Sequence, residues 1–327
     1  MSKFIKIAFF FFIGILLIWW SLHQIPPQQW DQFTIALQKS KFWFILPVGL
    51  ILGLSHLVRA LRWRLIMEPL GYKPSILNTF LAVLIGYLAN LAVPRLGEVL
   101  KCTLLSKYEK VPAEKIVGTI VAERAFDVIS LGVIFLLALT LQFNVVEAGW
   151  NQFKSYGKAA GDASSSNQTT YIIIAVILLV AIAALWFFKS KMQNAIITIK
   201  KIIAGVWEGV MSATKLKKHN LFFFYSFAIW FLYLLATYVG LYATEGTESS
   251  FQTAISCLAF ASIGMIITPG GIGAYAYFMA KVLELNGVAY HLGLANGTLQ
   301  WFSQFIIILV LGGIALIILP LFNKQKI

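Results

Sequence analysis

Three charged side chains, Arg95, Glu98 and Lys101, follow Pro94 at three-residue spacing within sequence otherwise suited to hydrocarbon. Charge at membrane depth is expensive and marks a candidate functional site. Pro94 removes a backbone donor and Gly97 loosens the chain. A helix running in from Thr79 therefore breaks between Asn90 and Glu98 and exposes backbone groups that need shelter. A second set lies on the next helix. Glu123 and Asp127 are four apart on one face, and Arg124 is three before Asp127, a spacing for an ion pair or for a proton or cation relay. All the arginines, Arg59, Arg62, Arg64, Arg95 and Arg124, fall in the first 124 residues, although lysines run the length of the chain. Arginine is a fixed, planar, multiply donating cation, so this confinement points to a phosphate or carboxylate site. Arg59, Arg62 and Arg64 equally suit anchoring a helix end at the headgroups. The turn Pro269-Gly270-Gly271-Ile272-Gly273 brings backbone N–H groups to the start of a helix, where the dipole favours an anion. Asn90 is polar enough to line the same cavity, while Asn296 and Gln300 are better explained by hydrogen bonds between helices. The histidines lack metal-ligand spacing, and there is no catalytic triad, Walker loop or nucleophile beside paired carboxylates. The residues read as transporter-like, with no catalytic residue, cofactor or metal expected.

The elements that position these residues belong to a membrane. The chain is 59% hydrophobic with a mean hydropathy of +0.81 and 12% charged residues over 327 positions. Soluble domains are about 45–50% apolar, so a soluble protein is excluded. The net charge of +13 finds its natural counterpart in an anionic leaflet, and no nucleic-acid motif competes with that reading. Cys102 and Cys257 fall in apolar sequence and read as small buried side chains.

The expected architecture is an all-α polytopic domain spanning 1–327, with about six full transmembrane helices and two re-entrant helical hairpins. A first helix over 4–21 follows Lys3 and Lys6, which place the N-terminus in the cytoplasm. After a loop with Pro26 and Pro27, a first repeat unit covers 41–141 and contains a hairpin over 75–107 with cations at both ends, so it enters and returns on the cytoplasmic side. Residues 142–170 read as an external loop, 171–188 as a returning helix, and 189–218 as a basic amphipathic helix on the inner surface. A second unit over 220–319 repeats the pattern with a hairpin over 250–285 entering from outside, and Lys324 and Lys326 keep the C-terminus inside. Two units of opposite orientation form an inverted repeat, whose substrate site lies where the units meet.

Several motifs then coincide. Arg62-Trp63, the Gly86 and Asn90 arm leading into Pro94-Arg95-Leu96-Gly97-Glu98 with a cation at Lys101, Glu123-Arg124-x-x-Asp127, and Pro269-Gly-Gly-Ile-Gly273 together resemble the lysylphosphatidylglycerol synthase transmembrane-region family of flippase-like proteins, over essentially the whole chain. The resemblance implies a multi-pass plasma (inner) membrane protein that moves an anionic or lipid-linked headgroup between leaflets. It places Arg95, Glu98, Glu123, Arg124 and Asp127 in the central site. The implied partners are membrane lipids, either anionic phospholipid or polyprenyl-phosphate-linked, without nucleic acid and with the oligomeric state left open. The alternative is a membrane enzyme or accessory protein of lipid-linked sugar or envelope lipid metabolism. Members that synthesise aminoacylated phosphatidylglycerol carry a soluble aminoacyltransferase domain after this region, and the chain stops at Ile327, so synthesis is not expected. Many relatives have an acidic residue after the glycine-rich turn where this chain reads Ala274-Tyr275-Ala276-Tyr277, so an acid-coupled step at that position is not expected either.

Overall fold

The computed structural model describes residues 3–93, 96–143, 147 and 216–324. Pro94, Arg95, nearly all of the external loop, the returning helix and nearly all of the basic amphipathic segment lie outside the described residues. Ten α-helices and no strand occur among the described residues: α1 (Lys3–His23), α2 (Trp30–Lys39), α3 (Ile45–Met67), α4 (Ile76–Ala92), α5 (Leu96–Glu109), α6 (Ala113–Leu141), α7 (His219–Leu241), α8 (Phe251–Ile267), α9 (Ala274–Leu285) and α10 (Tyr290–Phe322). The all-α expectation holds. Four apolar segments, Phe42–Leu70, Lys115–Leu141, His219–Leu241 and Tyr290–Phe322, are long enough to cross a membrane.

Between α1 and α3 the chain is not the loop that Pro26 and Pro27 suggest. Pro27 opens a 3-10 turn, and α2 follows with Phe33, Ala36 and Leu37 on one stripe against Ile25, Tyr290 and Leu294. That stripe is two turns long and flanked by glutamines, too brief for periodicity to reveal.

Two pairs of short helices fold back on themselves. At α4 and α5 the backbones touch: a Cβ on Gly86 would sit 3.1 Å from the Gly97 carbonyl oxygen, and a Cβ on Gly97 would overlap the Gly86 carbonyl. Gly97 must be glycine for this approach, while a side chain at Gly86 would require its neighbour to give by a few tenths of an ångström. Asn90 closes the break between them, its Oδ1 accepting from the Gly97 N–H at 2.8 Å, so the second amide of the new helix keeps a partner, as the first, on Leu96, does at the Val93 carbonyl. At α8 and α9 the corresponding contact is Gly264, whose Cβ would lie 2.8 Å from the Ala274 carbonyl carbon and the Tyr275 nitrogen. Ser75 caps α4 by accepting from Asn78 N–H at 3.1 Å, and Ser250 caps α8 in the same way from Thr253 N–H at 3.1 Å.

The open end of each pair is tied to the helix that follows the other pair. Asn78 on α4 exchanges amide hydrogen bonds of 3.0 and 2.8 Å with Asn323 at the end of α10, and also donates to Glu109 at the end of α5. At the opposite pair, Gln142 at the end of α6 donates to Thr253 on α8 at 3.1 Å and to Asn286 beyond α9 at 2.8 Å. Packing follows the ties, with α4 against α10, α8 against α6, and α3 against α7 between them.

Candidate functional site

The site is built where α3, α5 and α6 converge. His56, Arg59 and Arg62 recur every three residues on α3 and share a face, as do Glu123 and Asp127 on α6. Arg59 Nη1 donates to Glu123 Oε1 at 2.9 Å and to Asp127 Oδ2 at 2.6 Å, and Arg62 Nη2 donates to Asp127 Oδ1 at 2.7 Å. Lys101 on α5 reaches the second Glu123 oxygen at 2.8 Å. Its ammonium also lies 4.6 Å from the centre of the Trp63 ring, while the Trp63 indole donates to Thr119 Oγ1 at 2.8 Å. Arg59, Arg62, Lys101 and Glu123 are buried, and Glu123 and Arg62 have no exposed surface. Five side chains from three helices therefore form one desolvated network, and its short charge-assisted bonds offset the cost of leaving water.

Arg124 extends the network toward open space. Its Nη2 donates to Glu98 Oε1 at 2.7 Å and its Nη1 lies 3.8 Å from Asp127 Oδ2. Counting the described members, four cations face three carboxylates, leaving one net positive charge. This network heads a cavity of about 570 Å³. Arg59, Arg124, Asp127, His56 and Tyr87 line one part of it, and aliphatic side chains such as Leu52, Leu131, Leu258 and Ile307 dominate the rest. Tyr233 on α7 also lines it and accepts from Arg59 Nη2 at 3.2 Å. Three buried nitrogens on the lining residues lack a hydrogen-bond partner among the described residues: His56 Nδ1, Arg59 Nε and Trp230 Nε1. Buried polar atoms are nearly always paired, so unpaired ones beside a cavity are an opening for a polar ligand.

The structure brings together Arg59, Arg62, Lys101, Glu98, Glu123, Arg124 and Asp127. Arg59 and Arg62, which the sequence allowed to be headgroup anchors, are the network's centre. Arg64 stands apart, its Nε donating to the Pro74 carbonyl at 2.6 Å. Arg95 and Pro94 lie outside the described residues. Asn90 serves the helix break instead of the cavity.

The glycine-rich turn also lies away from the cavity lining. Gly270, Gly271 and Gly273 take left-handed backbone angles, with φ of 61°, 74° and 73°. The turn bonds largely to itself: Gly271 N–H goes to Thr268, Ile272 N–H to Pro269 and Ala274 N–H to Ile272. Gly273 packs against Gly14 and Ile18 of α1, and the Gly270 carbonyl accepts from the Trp301 indole at 2.7 Å. Asn296 donates to the Gly240 carbonyl and to Thr247, both at 3.0 Å, and Gln300 donates to Asn296 at 2.8 Å while also facing the cavity. Sequence reasoning passed over His56, Tyr87, Trp230 and Tyr233. His56 carried a signal, three residues before Arg59 on the same face. Its ring packs against Tyr87 with centroids 4.4 Å apart.

Apolar helices that enclose a charge network at the head of an apolar cavity define a multi-pass membrane protein with an internal amphiphilic chamber. Within that class, the model of the lysylphosphatidylglycerol synthase transmembrane region matches residues 4–312, and the chain belongs to this family. A UPF0104 membrane protein of Pyrococcus horikoshii is 25% identical over 96% of both chains. Another, from Methanocaldococcus jannaschii, is 35% identical over 77 residues, 23% of each chain. No solved structure matches the chain at a significant level.

Proposed function

We propose that the chain is a lipid translocase of the plasma membrane that carries an anionic or lipid-linked headgroup between leaflets, with the cavity under Arg59 and Arg124 as its substrate chamber. The observation that carries this reading is the joining, in one cavity of about 570 Å³, of a net cationic end with unpartnered donors to a long apolar remainder. An amphiphile matches both parts. Phosphate suits guanidinium and indole donors, and acyl or prenyl chains suit the aliphatic walls.

The short helix pairs fit re-entrant hairpins. At 17 and 14 residues α4 and α5 extend about 25 and 21 Å, short of a hydrocarbon core of about 30 Å, and α8 and α9 at 17 and 12 residues are no longer. The crossed ties, hairpin one to α10 through Asn323 and hairpin two to α6 through Gln142, are what an inverted repeat with exchanged partners would produce. Rocking of one unit against the other would then present the chamber to each leaflet in turn.

Proteoliposomes carrying fluorescently tagged phosphatidylglycerol test the proposal, read by the fraction of label that an external quencher reaches over time. Wild type is expected to translocate well above protein-free liposomes. Arg124→Gln is expected to slow translocation roughly tenfold or more, the factor for one charged hydrogen bond to the headgroup, and Arg95→Ala to slow it as well. Wild-type rates equal to empty liposomes, or equal rates for wild type and both variants, would overturn it.

A further inference from the structure

The ion pairs at the site fall into two groups. Glu123 and Asp127 hold Arg59, Arg62 and Lys101 in a closed set whose side chains are at most 13% exposed. The Glu98–Arg124 pair is different: its side chains are 25% and 43% exposed, and Arg124 lines the cavity. We propose that Glu98 is a resident counterion for Arg124 which the phosphate of an anionic lipid displaces, so that competition with Glu98 sets how tightly the headgroup is held. This rests on the reading of the cavity as a lipid site and deepens it.

The two oxygens of Glu98 are unequally served. Oε1 accepts from Arg124 at 2.7 Å, while Oε2 is buried without a partner among the described residues. A carboxylate oxygen out of water with no donor is costly, so releasing Glu98 to solvent loses one ion pair and recovers the hydration of the other oxygen. The closed pairs have no such incentive, because both oxygens of Glu123 and both of Asp127 are bonded. Charge also balances. With Glu98 in place four cations face three carboxylates. A monoanionic phosphodiester taking over Arg124 restores the same sum, so the exchange leaves the net charge around Arg124 unchanged. A zwitterionic headgroup would bring a cation beside Arg59 and Arg124 and would exchange poorly, which makes Glu98 a selectivity residue that need not touch the lipid.

The test is a binding titration of purified protein in detergent with phosphatidylglycerol, with phosphatidylcholine, and with glycerophosphoglycerol as the same phosphodiester free of chains, bound molecules being counted by native mass spectrometry. The expected result is that Glu98→Gln binds phosphatidylglycerol about two- to fivefold more tightly than wild type, the range for removing one partly exposed competing pair, with phosphatidylcholine unchanged. Arg124→Gln is expected to bind phosphatidylglycerol weakly and to abolish the effect of Glu98→Gln in the double variant. Glu98→Ala should tighten binding as Glu98→Gln does, and melting temperatures show whether each variant is folded. Unchanged or weaker binding by folded Glu98→Gln or Glu98→Ala, or tightening that persists without Arg124, would overturn the counterion role. Wild type that does not distinguish phosphatidylglycerol from phosphatidylcholine would instead sink the lipid-site reading. Tightening for glycerophosphoglycerol equal to that for phosphatidylglycerol would count against a lipid as the displacing anion.

Discussion

At the scale of single residues, Glu123 bears the greatest burden. It has no exposed surface and is shared by Arg59 at 2.9 Å and Lys101 at 2.8 Å, so neutralising it leaves buried Lys101 without a carboxylate and takes from Arg59 one of its two, Asp127 remaining at 2.6 Å. Breaking a buried pair by removing one partner costs about 3–5 kcal/mol. Glu123→Gln is therefore expected to lower the melting temperature of the purified protein strongly. Lys101→Met in the same chain should recover part of the loss, because the cation left without a carboxylate is gone; additive losses would show that the pair is not coupled. The carboxylates at Glu123 and Asp127 could be seen in the sequence as functional because charge within apolar sequence is rare. Their partners could not. Arg59 and Arg62 read equally well as an interfacial anchor, since helical spacing fixes which side chains share a face but not what the face meets.

At the scale of elements, glycine decides how close helices come. Gly97 lies against the Gly86 carbonyl with no space for a Cβ, whereas Gly118 on α6 has nothing within 4 Å of where one would be. Gly97→Ala should push α5 from α4, release the Asn90 bond and reduce the folded, monodisperse fraction recovered in detergent. Gly118→Ala should leave that fraction unchanged, and its melting temperature should stay level or rise, as expected for a helical alanine worth about 1 kcal/mol over glycine. Equal behaviour of the two variants would remove the close approach as a cause. From the sequence, Gly97 was legible as a breaker beside Pro94, and its role as a contact surface was not, because the carbonyl it meets belongs to the other arm. The glycine-rich turn shows the converse. Its left-handed residues were legible as a turn, and an anion site was a sound expectation from exposed amides. In the fold those amides are largely bonded within the turn, which seats against α1.

At the scale of the whole molecule, the proposed inverted repeat makes a claim about sidedness. If α4 and α5 enter and return on one side, single cysteines placed at Lys73 and Lys110, in a chain with Cys102 and Cys257 replaced by alanine, should both react with an impermeant thiol reagent from the cytoplasmic side alone. Labelling of the two positions from opposite sides would show a crossing helix pair and end the hairpin reading. The sequence by itself determined the class, because 59% hydrophobic residues leave no soluble alternative. It also determined the helical stretches, because apolar runs of the right length in a bilayer must satisfy their backbone internally. The motifs carried the family resemblance. Only the tertiary structure decided that Arg59 pairs with Glu123 and Asp127, residues 64 and 68 positions away, and that this network heads a cavity shared by both halves of the chain. The reason is one of range: helical periodicity couples a side chain to neighbours three and four residues on, while an ion pair or a cavity wall is set by which faces the packed bundle turns toward one another.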